Sequence, residues 1–253
     1  MPKVISVHSF RGGTGKSNLT ANLAANVALN DHRVGIVDTD IQSPGIHALF
    51  GLDDEGIGRC LNDYLWERCS VEETAHDVSA ALDRRLTDGC AVYLVPSSIK
   101  SGDIARVLRE GYDVGRLNDG FQDLATRLRL DHLFIDTHPG LNEETLLSIA
   151  VSDLLILLMR PDRQDYQGTA VTVEVARKLE VPELLLVVNK ALTTVDFAEL
   201  RQQVEAAYGA PVAAVLPLSE DLVRTASGDL FSLREPNHAW SREVRAIAER
   251  IVG

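Results

Sequence analysis

The sequence predicts an α/β fold in which one doubly wound, mostly parallel β-sheet is flanked by helices. Two observations predict it. Short β-branched or leucine-rich runs alternate with helix-patterned stretches along the whole chain, the order that lays strands side by side and returns the chain through crossover helices. Most of those runs are apolar without clean alternation, as parallel strands covered on both faces should be. At 253 residues and 45% hydrophobic content the chain can bury an ample core. It carries no linker, low-complexity segment or internal repeat, so a single domain spanning residues 1–253 is expected.

The elements follow in order. Val4, Ile5 and Val7 mark a first strand over residues 3–9. Leu19, Leu23 and Val27 recur at i, i+4 and i+8 and mark the first helix. A second strand is expected over 33–38. Short helical pieces at 43–50 and 60–67 border the least regular region, 51–88, whose polar residues read as an elaboration after that strand. Strands at 91–96, 132–136, 153–160, 183–189 and 212–216 complete the sheet. Helices near 103–109, 117–128, 143–151, 168–179, 197–208 and 241–252 cover it.

Between the first strand and first helix lies Ser9-Phe10-Arg11-Gly12-Gly13-Thr14-Gly15-Lys16-Ser17. Glycines let the backbone curl until successive N–H groups face one anion, and the helix N-terminus adds partial positive charge. Strand, glycine-rich turn and helix are the context of a nucleotide-phosphate loop. Gly12, Gly13, Thr14, Gly15, Lys16, Ser17 and Asn18 are therefore expected to cradle the phosphates of a nucleotide. Lys16 is expected on the β- and γ-phosphates, and the Ser17 hydroxyl on Mg²⁺. Phe10 stands where the pattern G-x-x-x-x-G-K-[ST] has its first glycine.

In open α/β sheets ligands bind beyond the C-terminal ends of the strands, where three aspartates fall. Asp136 ends an apolar strand and reads as a holder of the Mg²⁺ shell. Asp40 is placed to orient an attacking water. Asp38 divides between the metal site and a purely structural role such as capping. The Pro139-Gly140 turn offers the Gly140 N–H to a γ-phosphate. His138, inside that turn, reads as a local hydrogen-bonding group and not as a catalyst.

Taken together, Arg11-Gly-Gly-Thr-Gly-Lys16-Ser17, Asp38-Thr-Asp40, Asp136-Thr-His-Pro-Gly140, Val187-Val188-Asn189-Lys190 and Pro217-Leu-Ser-Glu-Asp221 make the chain resemble the ParA/MinD family of deviant Walker ATPases, nearly end to end. The resemblance implies the P-loop NTPase fold, slow hydrolysis of Mg-ATP, and an ATP-dependent homodimer whose two sites face each other. It implies that Asn189 meets the adenine edge and that Pro217 walls the base. Arg11 occupies the position of a family lysine that reaches the partner's nucleotide, which implies a catalytic role in trans. Arginine keeps the charge there but replaces a point charge with a planar fork. The implied function is positioning or partition of a cargo, read out by a protein partner or adaptor; the alternative is a ligase-type small-molecule enzyme of the same fold.

Composition narrows the partners. A net charge of −12 argues against a protein wrapped in nucleic acid. Arg224, Arg234, Arg242, Arg245 and Arg250 allow nonspecific DNA contact, although they also read as a solvated helix face. Aromatic residues, at 5%, are too sparse for base-stacking platforms. Cys60, Cys69 and Cys90 form no C-x-x-C pair, which suits a reducing cytoplasm and argues against the cluster-carrying relatives. The longest apolar runs, at 154–159 and 184–188, are far short of a bilayer span. Val244, Ile247 and Ile251 share one face of the last helix, which reads as part of the core and not as a lipid anchor. A cytoplasmic location without direct membrane binding is expected.

Overall fold

A computed structural model describes residues 2–53, 55–83, 85–225 and 228–253. The chain runs β1 (Lys3–His8), α1 (Lys16–Ala28), β2 (Arg33–Asp38), α2 (Ile46–Leu49), α3 (Leu61–Leu65), β3 (His76–Asp77), β4 (Ala91–Val95), α4 (Ser101–Glu110), α5 (Val114–Arg127) and β5 (His132–Asp136). It continues through α6 (Glu143–Ala150), β6 (Leu154–Met159), α7 (Arg163–Lys178), β7 (Glu183–Ala191), α8 (Phe197–Tyr208), β8 (Val212–Pro217), α9 (Glu220–Arg224), α10 (Phe231–Arg234) and α11 (Ala239–Val252).

Among the described residues, eight strands form one sheet in the order β3-β4-β2-β5-β1-β6-β7-β8. Every pairing is parallel except β3 with β4. The doubly wound sheet foreseen from the sequence is thus present. The irregular region 51–88, in which Asp54 and Arg84 lie outside the described residues, adds α3 and the antiparallel edge strand β3. A two-residue strand has no periodicity to read, so it escaped the pattern. The short helices α9 and α10 escaped it for the same reason.

Each sheet face carries its own core. On one side Ile5, Val7 and Ile36 pack with Leu19 and Leu23 of α1 and with Trp240 and Val244 of α11. Val244, Ile247 and Ile251 are at most 2% exposed, so the last helix spends its apolar stripe on the core. On the other side Val37, Val95 and Leu133 meet Leu117, Phe121 and Leu124 of α5. Farther along that sheet, Met159, Leu186 and Val188 pack with Val173 of α7 and Val204 of α8. Among the described residues no helix is long and apolar enough to cross a membrane.

Asp113, Asn142, Asp162 and Asp196 cap the N-termini of α5, α6, α7 and α8 with their side chains. Helix α1 starts differently, on Gly15 at φ 96° with no side-chain cap. Its first N–H groups are left for a ligand. Strand order sets where that ligand sits: β5 lies between β1 and β2, so the loops after all three strands converge.

Candidate functional site

A pocket of about 400 Å³ opens where those loops converge. Ser9 and residues 12–18 form its floor, Asp40 and Ser43 come from the loop after β2, and His138 and Pro139 come from the loop after β5. The floor is braced from β7: the Asn189 amide donates to the Thr14 carbonyl at 2.8 Å, and Lys190 Nζ donates to the Gly13 carbonyl at 2.7 Å. A Cβ on Gly15 would come within 2.7 Å of the Asn189 amide nitrogen, so only glycine lets this brace close.

Lys16 is 5% exposed, and its ammonium lies 3.0 Å from Asp136 Oδ1 and 4.0 Å from Asp40 Oδ2. Asp136 is fully buried, and its Oδ1 also accepts the Thr20 hydroxyl at 3.1 Å. Asp136 Oδ2 is buried without a hydrogen-bond partner among the described residues. An orphaned carboxylate oxygen is a hard donor of the kind that a cation such as Mg²⁺ takes, and the Ser17 hydroxyl, from the lining of the adjoining pocket, is a second. The residues present therefore fit the metal.

Asp38 stands opposite Asp136 in the β2–β5 register. Burial, and then the neighbouring Asp136 charge, push its pKa well above the ordinary value. Its Oδ1 accepts Asp40 N at 3.0 Å and its Oδ2 accepts Gly45 N at 3.4 Å. Asp38 is outside the pocket lining, and both oxygens shape the loop that carries Asp40. From sequence Asp38 divides between the metal site and a structural role; in the fold its carboxylate carries these two backbone contacts. Asp40 is 7% exposed, with Oδ1 accepting His138 Nδ1 at 2.7 Å and Ser43 N at 3.2 Å. That pairing was not foreseen, because nothing in the spacing of residues 40 and 138 tells that their loops meet.

His8 is a second unforeseen residue. Its Nδ1 lies 2.8 Å from the Thr137 hydroxyl, which itself donates to the Val7 carbonyl at 3.0 Å. Burial first, then the nearby Lys16 and His138, lower its pKa to about 3, so the ring is neutral.

The remaining candidates lie off the pocket. Arg11 turns away from its own phosphate site, with Nη1 3.7 Å from Asp162 and 3.6 Å from Asp165. Asp165 also takes a two-pronged contact from Arg160 at 3.0 and 3.3 Å. Burial alone would raise Asp165; the Arg160 hydrogen bonds and the charges of Arg160 and Arg11 outweigh it and hold the carboxyl low. Phe10, in place of a glycine, packs on α7, where a Cβ at Gly168 would come within 2.1 Å of the ring. Gly140 takes φ 90° and donates its N–H to the Ser9 carbonyl at 3.4 Å. Asn189 is 3% exposed and occupied with the loop, not lining the pocket. Pro217 ends β8 opposite Ala191, also away from the lining.

Comparison with known proteins places the chain among P-loop NTPases. Residues 1–252 match the ParA family profile, described as NUBPL iron-transfer P-loop NTPase. An iron-sulfur cluster carrier protein of Pseudomonas fragi is 28% identical over 249 residues, covering 92% of this chain and 79% of that protein. An uncharacterised ATP-binding protein of Methanocaldococcus jannaschii is 22% identical, covering 100% of this chain and 89% of that one. In structure the chain is similar to the cell division ATPase MinD of Pyrococcus furiosus, with a TM-score of 0.81 at 22% identity, over 100% of this chain and 99% of that one.

Proposed function

The chain belongs to the ParA family of P-loop NTPases, and on that premise we propose that it binds Mg-ATP, pairs with a second copy around it, and hydrolyses it slowly to position or partition a cargo. One observation carries the reading. A buried ammonium, Lys16, is held between Asp136 and Asp40 at the wall of a pocket floored by an uncapped helix start. Such a site binds a polyphosphate and can stabilise charge spread over a transferring phosphoryl group.

In this proposal the N–H groups of residues 12–17 and Lys16 bind the phosphates. The Ser17 hydroxyl and Asp136 would hold Mg²⁺, which when bound neutralises charge on the β- and γ-phosphates. Asp40 orients the attacking water, and Gly140 can exchange its bond to Ser9 for one to the γ-phosphate. Arg11 serves the partner's nucleotide. In support, it faces outward beside α7 and is not directed at its own pocket.

A second reading, carriage of a metal cluster, is favoured by the family description and by the name of the Pseudomonas fragi relative. The cysteines of this chain weigh against it. None forms a C-x-x-C pair, a spacing that Fe–S ligand runs use.

The test is ATP turnover by the full chain with Mg²⁺, alone and with DNA, anionic vesicles, metabolites or proteins encoded beside it, together with sedimentation in ATP and ADP. A dimer in ATP, with turnover raised by a macromolecular partner, supports positioning. Turnover raised only by a metabolite would replace it with the ligase reading. A stable visible chromophore after anaerobic reconstitution with iron and sulfide would replace it with cluster carriage.

A further inference from the structure

We propose that His138 is a positioning residue for hydrolysis: it pins the Asp40 carboxylate, so that the loops after β2 and β5 close on the phosphate pocket as one clamp. This rests on the ATPase reading above and adds to it a residue on which turnover depends.

Asp40 lies in irregular backbone between β2 and α2, so its carboxylate needs outside contacts to hold one orientation. Two donors supply them on the same oxygen, His138 Nδ1 at 2.7 Å and Ser43 N at 3.2 Å. With Oδ1 occupied twice, Oδ2 is the oxygen left toward Lys16, at 4.0 Å. A carboxylate fixed in this way presents one defined acceptor to a water, in place of two interchanging ones.

His138 is anchored in turn. Its carbonyl accepts the Thr145 hydroxyl at 3.2 Å, and Thr145 N donates to the α6 cap Asn142 at 3.0 Å. Pro139 follows it and restricts the His138 backbone to extended conformations. The ring is thus carried by α6, while Asp40 is carried by the loop that Asp38 shapes. The 2.7 Å contact is a direct bond between two side chains, one from each loop, that both line the pocket. A carboxylate only accepts, so Nδ1 carries the proton. Nε2, on a ring that lines the pocket, has no partner among the described residues.

Two roles for the ring separate by substitution. Asparagine can replace the Nδ1 donor but not Nε2; glutamine reaches to the Nε2 position. If His138 acts by pinning Asp40, His138→Ala should lower kcat about 10- to 100-fold with ATP affinity unchanged. His138→Asn should recover most of that loss, and His138→Gln should not. In an Asp40→Ala background, His138→Ala should cost nothing further, because the two act as one unit. Full turnover in folded His138→Ala overturns the proposal. So does rescue by glutamine and not asparagine, which would put Nε2 on the water.

A wild-type chain that binds ATP without hydrolysing it would sink the ATPase reading instead. The pairing is then judged by imidazole ¹⁵N shifts of the full chain loaded with Mg²⁺ and a non-hydrolysable ATP analogue. A protonated Nδ1 whose shift changes on Asp40→Ala upholds the clamp, and nitrogens indifferent to that substitution overturn it.

Discussion

Lys16 is a lysine almost without solvent, and its charge is tolerable because Asp136 stands 3.0 Å away. Lys16→Ala should abolish tight ATP binding, since the phosphates lose their principal cation and Asp136 loses its counter-charge. Asp40→Ala should still bind ATP and accumulate as a dimer, with turnover lowered by about 10²-fold or more. Titration calorimetry separates these outcomes from single-turnover kinetics: nucleotide affinity unchanged in Lys16→Ala removes the phosphate-loop assignment, and unchanged hydrolysis in Asp40→Ala removes the water-orienting one. At this scale the residue types were legible because glycine, lysine and serine at fixed spacing after a strand have one economical use. Partner choice was not. Asn189 reads in sequence as a strand-end amide, and its bond to the Thr14 carbonyl exists only because β7 ends beside the loop.

Among the elements, the phosphate loop fits closely against α7. Phe10 lies so close to Gly168 that a methyl group there would overlap the ring. Gly168→Ala should therefore cost about 1–3 kcal/mol through overpacking. Phe10→Ala in the same chain should recover part of that cost, because the two side chains compete for one space. Urea midpoints of the single and double variants check this; equal midpoints for wild type and Gly168→Ala would show that α7 yields freely. The same packing accounts for an aromatic residue at a position where the motif has glycine, since Phe10 fastens the loop to a neighbouring helix. Strand β7 shows the limit of periodicity. It runs to Ala191, past the expected end at residue 189, through an irregular register with Lys190 at φ 59°.

For the whole molecule, trans action of Arg11 is tested by mixing two inactive variants, Arg11→Ala and Asp40→Ala. If the arginine serves the partner's site, the hybrid dimer regains one complete site. Random 1:1 mixing makes about half the dimers hybrid, so activity should return to about a quarter of wild type. No recovery, with hybrids shown to form, confines Arg11 to its contacts with Asp162 and Asp165. Stability should also depend on pH. Burial, and then the facing His32, lower His132 to about 4, and burial lowers His8 to about 3, both from 6.5. Below 6.5 the unfolded chain binds protons that the folded chain refuses, so stability falls on acidification, by about 1.4 kcal/mol per pH unit for each histidine. Asp38, raised in the folded state, works in the opposite direction as it takes up its proton. Urea unfolding across pH should show the decline, and His132→Leu should flatten it; a slope unchanged by that substitution would assign the dependence to other groups.

The alternation of apolar runs with helical periods, the uncapped glycine start of α1 and the aspartate ending β5 are local properties of the chain. By themselves they determined the doubly wound sheet and the place of the phosphate loop within it. The tertiary structure alone decided which groups meet. Asp38 bonds its own loop, Arg11 rests on the carboxylates of α7, and His138 reaches Asp40 from 98 residues away. The physical reason is that strand order sets which loops converge at one end of the sheet. Hydrogen bonds made between loops depend on that convergence, whereas periodicity and turn chemistry act within a few residues.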